Sequence, residues 1–289
     1  MWSQVFKSTV KSIIPFKNFL RQQLRALKPY ESLHSNDTYA FKQGLDIVVA
    51  LKNAGADFGT VLEIGTGWVP TIPHIFHAVG AEKLILTDVE PLLDEATQRQ
   101  AKDFVTSKSE EIAEATGIEN SQILGNLHRP LNFDYLCPFD FEQINPKSID
   151  VIYSRTVLEH ISPNVLAGMV SHMASALKPD GFMYHIVDNS DHFEHNDKSI
   201  VRLNFLRYSK FVWSLTHLNK QEYQNRLRHS DYVKLFDVPE VEALFLEGIV
   251  DEKSLVDLAG MEIHQDFKSY TNEDMAALTS LIMVKKRRR

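Results

Sequence analysis

The segment Val61-Leu62-Glu63-Ile64-Gly65-Thr66-Gly67 constrains this chain more than any other stretch. A short apolar run that stops at two glycines one residue apart reads as a buried strand followed by a sharp turn. Glycine accepts positive φ there and lets the backbone approach a ligand with no side chain in between. A second apolar run, Leu84-Ile85-Leu86-Thr87-Asp88, ends in an acid 21 residues after Gly67. Pro70 and Pro73 stand between the two runs, near the start of a short helix that ends before Gly80. The first turn of a helix tolerates proline because its amides have no intrahelical acceptor. Strand, glycine turn, helix and strand together make a βαβ unit with an acid closing its second strand.

The same alternation continues downstream. Strands are predicted at 133–137, 149–154 and 181–187, and helices over Pro91 to Thr116 and Val157 to Leu177, with Lys178-Pro179-Asp180-Gly181 as the turn into the fifth strand. Upstream, Thr38 to Ala54 has helical spacing, with Gly55 as its stop. Strands alternating with helices imply the α/β class, here a Rossmann-like, doubly wound and mostly parallel sheet. Residues 190–245, rich in His, Arg, Asn and aromatics, read as a helical insertion after strand five, and Met261 to Phe267 with Leu278 to Val284 as an antiparallel C-terminal strand pair. The expected division is an N-terminal helical extension over 1–57, a ligand-binding core over 58–190, a substrate-binding cap insertion over 191–245, and the end of the core with a basic tail over 246–289.

The single cysteine, Cys137, excludes an intrachain disulfide and any multi-cysteine zinc site. An oxidising compartment therefore has no support, and the cytoplasm is the expected location. The net charge of −7 hides an asymmetry. Residues 1–30 hold six bases and no acid, and Lys285 to Arg289 are five more bases; setting these eleven aside leaves 20 bases against 38 acids. An acidic body disfavours nucleic acid as a partner, whereas basic ends suit an anionic surface. Among those first bases, apolar residues from Trp2 to Leu27 recur every three or four positions, an amphipathic pattern interrupted at Pro15. It fits a helix resting on the inner face of a membrane, and equally one packed on the body or on a second subunit of a homodimer. No run reaches the ~20 apolar residues of a spanning helix. The tail reads as a solubilising end as readily as an anionic-surface contact.

A glycine turn and a following acid serve any nucleoside-bearing ligand, the acid accepting hydrogen bonds from ribose hydroxyls. The third glycine of the pyrophosphate fingerprint is absent, since residues 68–70 are Trp68, Val69 and Pro70. Glu63 also suits a cationic ligand better than a phosphate. Over roughly 58–190 the chain resembles class I S-adenosylmethionine-dependent methyltransferases in five segments taken in order. These are Val61 to Gly67, Asp88, Ser148-Ile149-Asp150-Val151-Ile152-Tyr153-Ser154, Val157-Leu158-Glu159-His160-Ile161 and Leu177 to Gly181. It departs from them at Val69, where many members carry a third glycine, with Trp68 beside it. The resemblance implies S-adenosyl-L-methionine as cofactor. Glu63, Gly65 and Gly67 would line its methionine end, Thr66, Trp68 and Ser154 would be among its contacts, and Asp88 would hold the ribose. For the adenine amino group the candidates are Asp140 and its rival Asp134, Asp140 reading equally as a surface turn after Pro138.

Methyl transfer from a sulfonium is an in-line displacement, so the protein aligns the reactants and, for a hydroxyl nucleophile, removes a proton. Histidine is the usual base. His185 lies inside an apolar strand and reads as core, while His160 reads as a base, a pocket wall or a helix-to-sheet hydrogen bond. His192 and His195, in the segment Asp188 to Asp197, are the preferred catalytic pair. With Asp188, Asp191, Glu194 and Asp197 beside them they also have ligand types for a divalent metal, a reading placed behind a histidine base and behind a solvated loop. Arg202, Arg207, Arg226 and Arg228 either fork onto an anionic acceptor or serve as caps and salt bridges. The expected function is O-methylation of a small-molecule or glycan acceptor, such as a phosphorylated or lipid-linked sugar. The rivals are a regulatory protein that binds the cofactor without turnover, and a nucleotide-sugar or nicotinamide enzyme.

Overall fold

The computed structural model describes residues 31–195, 197–215 and 223–288, with side chains from residue 38 onward. The amphipathic segment 1–30 and its expected membrane or subunit contact lie outside the described residues. Strands β1 (Thr60–Ile64), β2 (Lys83–Thr87), β3 (Phe133–Leu136), β4 (Ile149–Arg155), β5 (Leu177–Asp188), β6 (Val241–Val250) and β7 (Ala277–Lys286) form one sheet in the order β3-β2-β1-β4-β5-β7-β6. The first five run parallel, and β7 runs antiparallel to both β5 and β6. This is the expected Rossmann-like sheet with an antiparallel C-terminal pair. The strand order reverses direction between β1 and β4, which leaves a crevice at their carboxyl ends.

Neighbouring residues of each strand point to opposite faces, and the two faces have separate cores. On one, Val61, Tyr153 and Phe182 pack against Phe41 and Leu51 of α1 (Glu31–Asn53) and Ile75 of α2 (Thr71–Ala78). On the other, Leu62, Ile152 and Met183 pack against α6 (Pro163–Ala176) through Val170 and Met173, and against α8 (His229–Phe236) through Tyr232. Between these helices in chain order come α3 (Glu95–Ser107), α4 (Ser109–Thr116), α5 (Asn120–His128) and α7 (Lys210–Ser214), and after them α9 (Glu252–Ala259) and α10 (Asn272–Ala276).

Three sequence expectations are corrected. The helix over 91–116 is two: it begins only at Glu95, where Asp94 caps it by accepting from Thr97 N at 2.8 Å, and it breaks at Lys108. The partner of the last strand is 241–250, so the boundary drawn at 245 falls inside β6. Met261 and Ile263 instead join Phe267 and the insertion residues Leu203, Phe205 and Trp213 in a third apolar cluster. Finally, the basic end starts inside β7, whose last residues are Lys285 and Lys286, and packs on the body: Lys285 and Arg288 pair with Asp180 at 3.4 and 2.7 Å, and Lys286 donates to the Ala174 carbonyl at 2.6 Å.

Candidate active site

The turn after β1 holds Gly65 at φ 74° and Gly67 at φ 66°, in the left-handed region. At Gly65 space is also decisive, because a Cβ there would stand 2.5 Å from Cγ2 of Val157. Asp88 draws this turn onto the end of β2: its Oδ2 accepts from Gly67 N at 2.8 Å, and its Oδ1 from Val89 N at 2.7 Å. Thr66 N donates to the Thr87 carbonyl at 2.9 Å, reinforcing the same joint.

Three cavities open along the carboxyl ends of the strands. The first, of about 320 Å3, is lined by Ala40, Glu63, Gly65 to Val69, Ile72, Arg155, Thr156 and Val157. The second, about 600 Å3, shares Gly65 and Val157 with it and is walled by Asp88, Val89, Phe139, Asp140, Phe141, His160, Met169 and His172. The third, about 250 Å3, meets the first at Thr156 and is lined by Tyr39, Gln43, Asp188, Ser190, Glu194, His195, Lys198 and Arg202. A small polar chamber thus connects an aromatic one to a second polar one.

The first two chambers fit a ligand with a charged end and a flat nucleoside end. Oε2 of Glu63 and Oγ1 of Thr66 are buried without a hydrogen bond of good geometry. Burial, offset in part by the hydroxyls of Thr66 and Tyr153, pushes the Glu63 carboxyl up to about 7. The Arg155 guanidinium in the same chamber offsets that burial only in part. In the second chamber the Phe141 and His172 rings stack 5.9 Å apart beside Val89 and Met169, a surface for a purine.

Most expected cofactor contacts lie in these two chambers: Glu63, Gly65, Thr66, Gly67 and Trp68 in the first, Asp88 and Asp140 in the second. Asp140 caps the turn at Phe141 by accepting from Glu142 N at 3.0 Å, whereas its rival Asp134 is on β3 in an ion pair with Lys83 at 2.7 Å. Ser154 is corrected. It is fully buried within the sheet, bonded to Nδ1 of His185 at 2.8 Å, and does not line the cleft. His185 is core, with burial alone lowering its ring to about 3.

Of the histidines, His160 borders the second chamber and its Nδ1 is bonded to the Tyr223 carbonyl at 2.7 Å. His195 borders the third, its Nε2 3.8 Å from Asp188 Oδ2. His192 lies between them, rings 5.0 Å from His160 and 5.1 Å from His195. The acids around the His-x-x-His segment do not converge. Asp191 is buried and accepts from Phe193 N at 2.9 Å, Glu194 pairs with Lys198 at 3.1 Å, and Asp197 accepts from Ser199 Oγ at 2.6 Å.

The four arginines separate. Arg202 lines the third chamber and pairs with Asp251 at 3.5 Å, while Arg207 borders a separate depression with Glu262 and Lys268. Arg226 and Arg228 are buried and correct the expectation of an anion fork. Arg226 donates to the carbonyls of Phe205 and Tyr208 at 3.1 and 2.6 Å, and Arg228 to those of Asn189 and Met275 at 2.9 and 3.3 Å. Arg226 ties parts of the insertion to one another, and Arg228 ties the insertion to the end of β5 and to α10.

Sequence reasoning missed Arg155, Thr156, Tyr39 and Gln43. Arg155 lies in the first chamber, donates to Gln43 Oε1 at 2.5 Å and sits 5.2 Å over the Tyr39 ring. Its place as the last residue of β4 was the available signal; the α1 residues had none, because only folding brings them to the cleft.

A family model described as a methyltransferase domain matches residues 35–235, more than two thirds of the chain. The chain belongs to that family. It is a class I methyltransferase, an enzyme whose cofactor is S-adenosyl-L-methionine and which acts on an acceptor substrate. No curated protein matches its sequence. Solved structures similar to it include an S-adenosylmethionine-dependent methyltransferase from Mesorhizobium loti, 11% identical with TM-score 0.48, covering 84% of this chain and 100% of that one. Another is the methyltransferase from Methanosarcina mazei, 13% identical with TM-score 0.46, covering 81% and 95%. A chain from a complex containing the Haloferax volcanii Trm112 methyltransferase activator is 14% identical, with TM-score 0.48 and coverage of 89% and 93%.

The methyltransferase should bind its cofactor more tightly as Glu63 ionises. Because the folded carboxyl titrates near 7 against 4.5 ordinarily, the stability its protonated form retains is lost as pH rises between those values, about 3 kcal/mol in all. A cationic amino group beside it favours the ionised form, so affinity is expected to rise about ten-fold between pH ~5.5 and ~7. Calorimetry in two buffers of different ionisation enthalpy should show proton release on binding, and Glu63→Gln should flatten both. A wild-type affinity that does not vary with pH would remove Glu63 from the contact.

Proposed function

We propose that the enzyme methylates a hydroxyl of a small, polyhydroxylated acceptor of the glycan type, with His195 as general base and Asp188 as its positioning residue. The observation that carries this reading is the third chamber, which opens from the cofactor chamber at Thr156 and is rimmed by Tyr39, Gln43, Asp188, Ser190, Glu194 and His195 beside the apolar Ile186, Val187 and Leu278. Its volume of about 250 Å3 suits a sugar-sized molecule. Lys198 and Arg202 give one side of it positive charge for a phosphate or carboxylate on that acceptor.

The cofactor brings an electrophilic methyl group on a sulfonium, and the protein has to hold a deprotonating oxygen in line with it. Partial burial lowers the His195 ring below the ordinary histidine range, which keeps it neutral near pH 7, the form a base requires. Burial of Asp188 would raise its carboxyl, but the His192 ring and Ser190 outweigh that and hold it at about 2. An ionised Asp188 then orients the neighbouring ring and stabilises the imidazolium that forms. Thr156, at φ 51°, keeps its strained backbone at the junction of the two chambers by donating to the Ile186 carbonyl at 2.8 Å.

His195→Asn is expected to lower kcat at least ~100-fold on an acceptor identified from a panel of hydroxylated compounds. Cofactor affinity by calorimetry should stay at the wild-type value. An unchanged kcat excludes His195 as the base.

A further inference from the structure

Glu159 is among the least exposed charged residues of the protein, at 1%. Neither of its carboxylate oxygens meets a hydrogen-bond donor in good geometry, and the buried Nε2 of His192, 3.4 Å from Asp188 Oδ2, makes no bond of good geometry either. Leaving such groups unmatched costs about 1–3 kcal/mol each, so a native site that carries three of these atoms together calls for a missing partner. One ligand atom from each of Glu159, His160 and His192 lies within 4.8 Å of the other two.

We propose that Glu159, His160 and His192 form a binding site for one divalent first-row transition metal ion. Two imidazoles and a carboxylate with further positions open are the donor set of catalytic zinc and non-haem iron centres. Bonds of about 2.1 Å in a tetrahedral shell place ligand atoms ~3.4 Å apart, so side-chain rotations of about an ångström close the site. His160 is already oriented for this: its Nδ1 bond to the Tyr223 carbonyl leaves Nε2 with its lone pair free of that contact. Such an outer hydrogen bond is the usual way a protein fixes the tautomer of a metal-binding histidine.

The chemistry of the surroundings agrees. Glu159 is buried, with the Asp188 carboxylate and the Arg155 guanidinium as its charged neighbours. Asp188 Oδ2 stands 3.4 Å from His192 Nε2, so a dication would balance both acids. His160 borders the second chamber and Asp188 the third, which puts the site between cofactor and acceptor. A metal there would coordinate the acceptor hydroxyl and lower its pKa before His195 takes the proton; this last role, unlike the binding site itself, rests on the hydroxyl-acceptor reading above.

The test is calorimetric titration of the full chain, first stripped with a chelator, using Zn2+ and Mg2+ salts alone. Wild-type protein is expected to bind one Zn2+ at least 100-fold more tightly than Mg2+, and to melt at a higher temperature with Zn2+. Glu159→Gln and His192→Asn should each weaken Zn2+ binding ten-fold or more, while His128→Ala, at the exposed end of α5, should not. Glu159→Gln removes the ligating carboxylate without changing shape, and its melting temperature without metal reports that it folds. Absence of saturable Zn2+ binding, or variants that bind as the wild type does, would overturn the site. Tight Zn2+ binding with methyl transfer unaffected by the chelator would leave the site standing and overturn the activating role.

Discussion

Asp88→Ala is expected to abolish detectable binding of S-adenosyl-L-methionine in calorimetry. The carboxylate has two tasks. Its Oδ2 fixes the glycine turn through Gly67 N at 2.8 Å, and it faces the chamber where the ribose is expected. Each charge-assisted hydrogen bond to a ribose hydroxyl contributes about 1.5–3 kcal/mol, so losing two weakens binding ~100-fold or more before any loosening of the turn is counted. Asp88→Asn keeps an acceptor and should fall between. An Asp88→Ala variant that binds as the wild type does would move the cofactor site elsewhere.

The second large effect is on stability. Arg228→Met is expected to cost about 3 kcal/mol, lowering the melting temperature by roughly 6–10 °C. The guanidinium is fully buried, 4.7 Å from the Phe205 ring centre, and its removal leaves the carbonyls of Asn189 and Met275 without their donor. Burial lowers it only to about 10, so it is charged in the folded protein near neutral pH. Scanning calorimetry reads the loss directly, with Arg207→Ala as an exposed comparison that should shift little. If Arg228→Met melts like the wild type while acceptor KM rises, the residue faces substrate after all.

The contrast between these two residues shows what the sequence could disclose. Asp88 was legible because its role follows from local order: an apolar run, then an acid, at a fixed remove from a glycine turn. Arg228 was not, since an arginine that anchors carbonyls and one that grips an anion look the same in one dimension. Strand β6 escaped for a related reason. Its apolar run Ala243-Leu244-Phe245-Leu246 is closed by Glu242 and Glu247 and most of the strand is exposed, so the run does not read as a buried strand the way β1 and β2 do. Met261, Ile263 and Phe267 imitated such a run while packing on the insertion. Glu159 stood in a recognised segment, yet its convergence with His192, 33 residues on, exists only once β5 has been laid beside β4.

One wall borders both the first and the third chamber. Ala40 of α1 borders the first chamber, Tyr39 and Gln43 on the same helix border the third, proposed for the acceptor, and Arg155 ties this helix to the end of β4. Free energy used by either ligand to order that wall is free energy the other no longer has to supply. With the acceptor in the third chamber the two affinities are expected to be linked, and by reciprocity whatever factor the cofactor confers on acceptor binding, the acceptor returns to the cofactor.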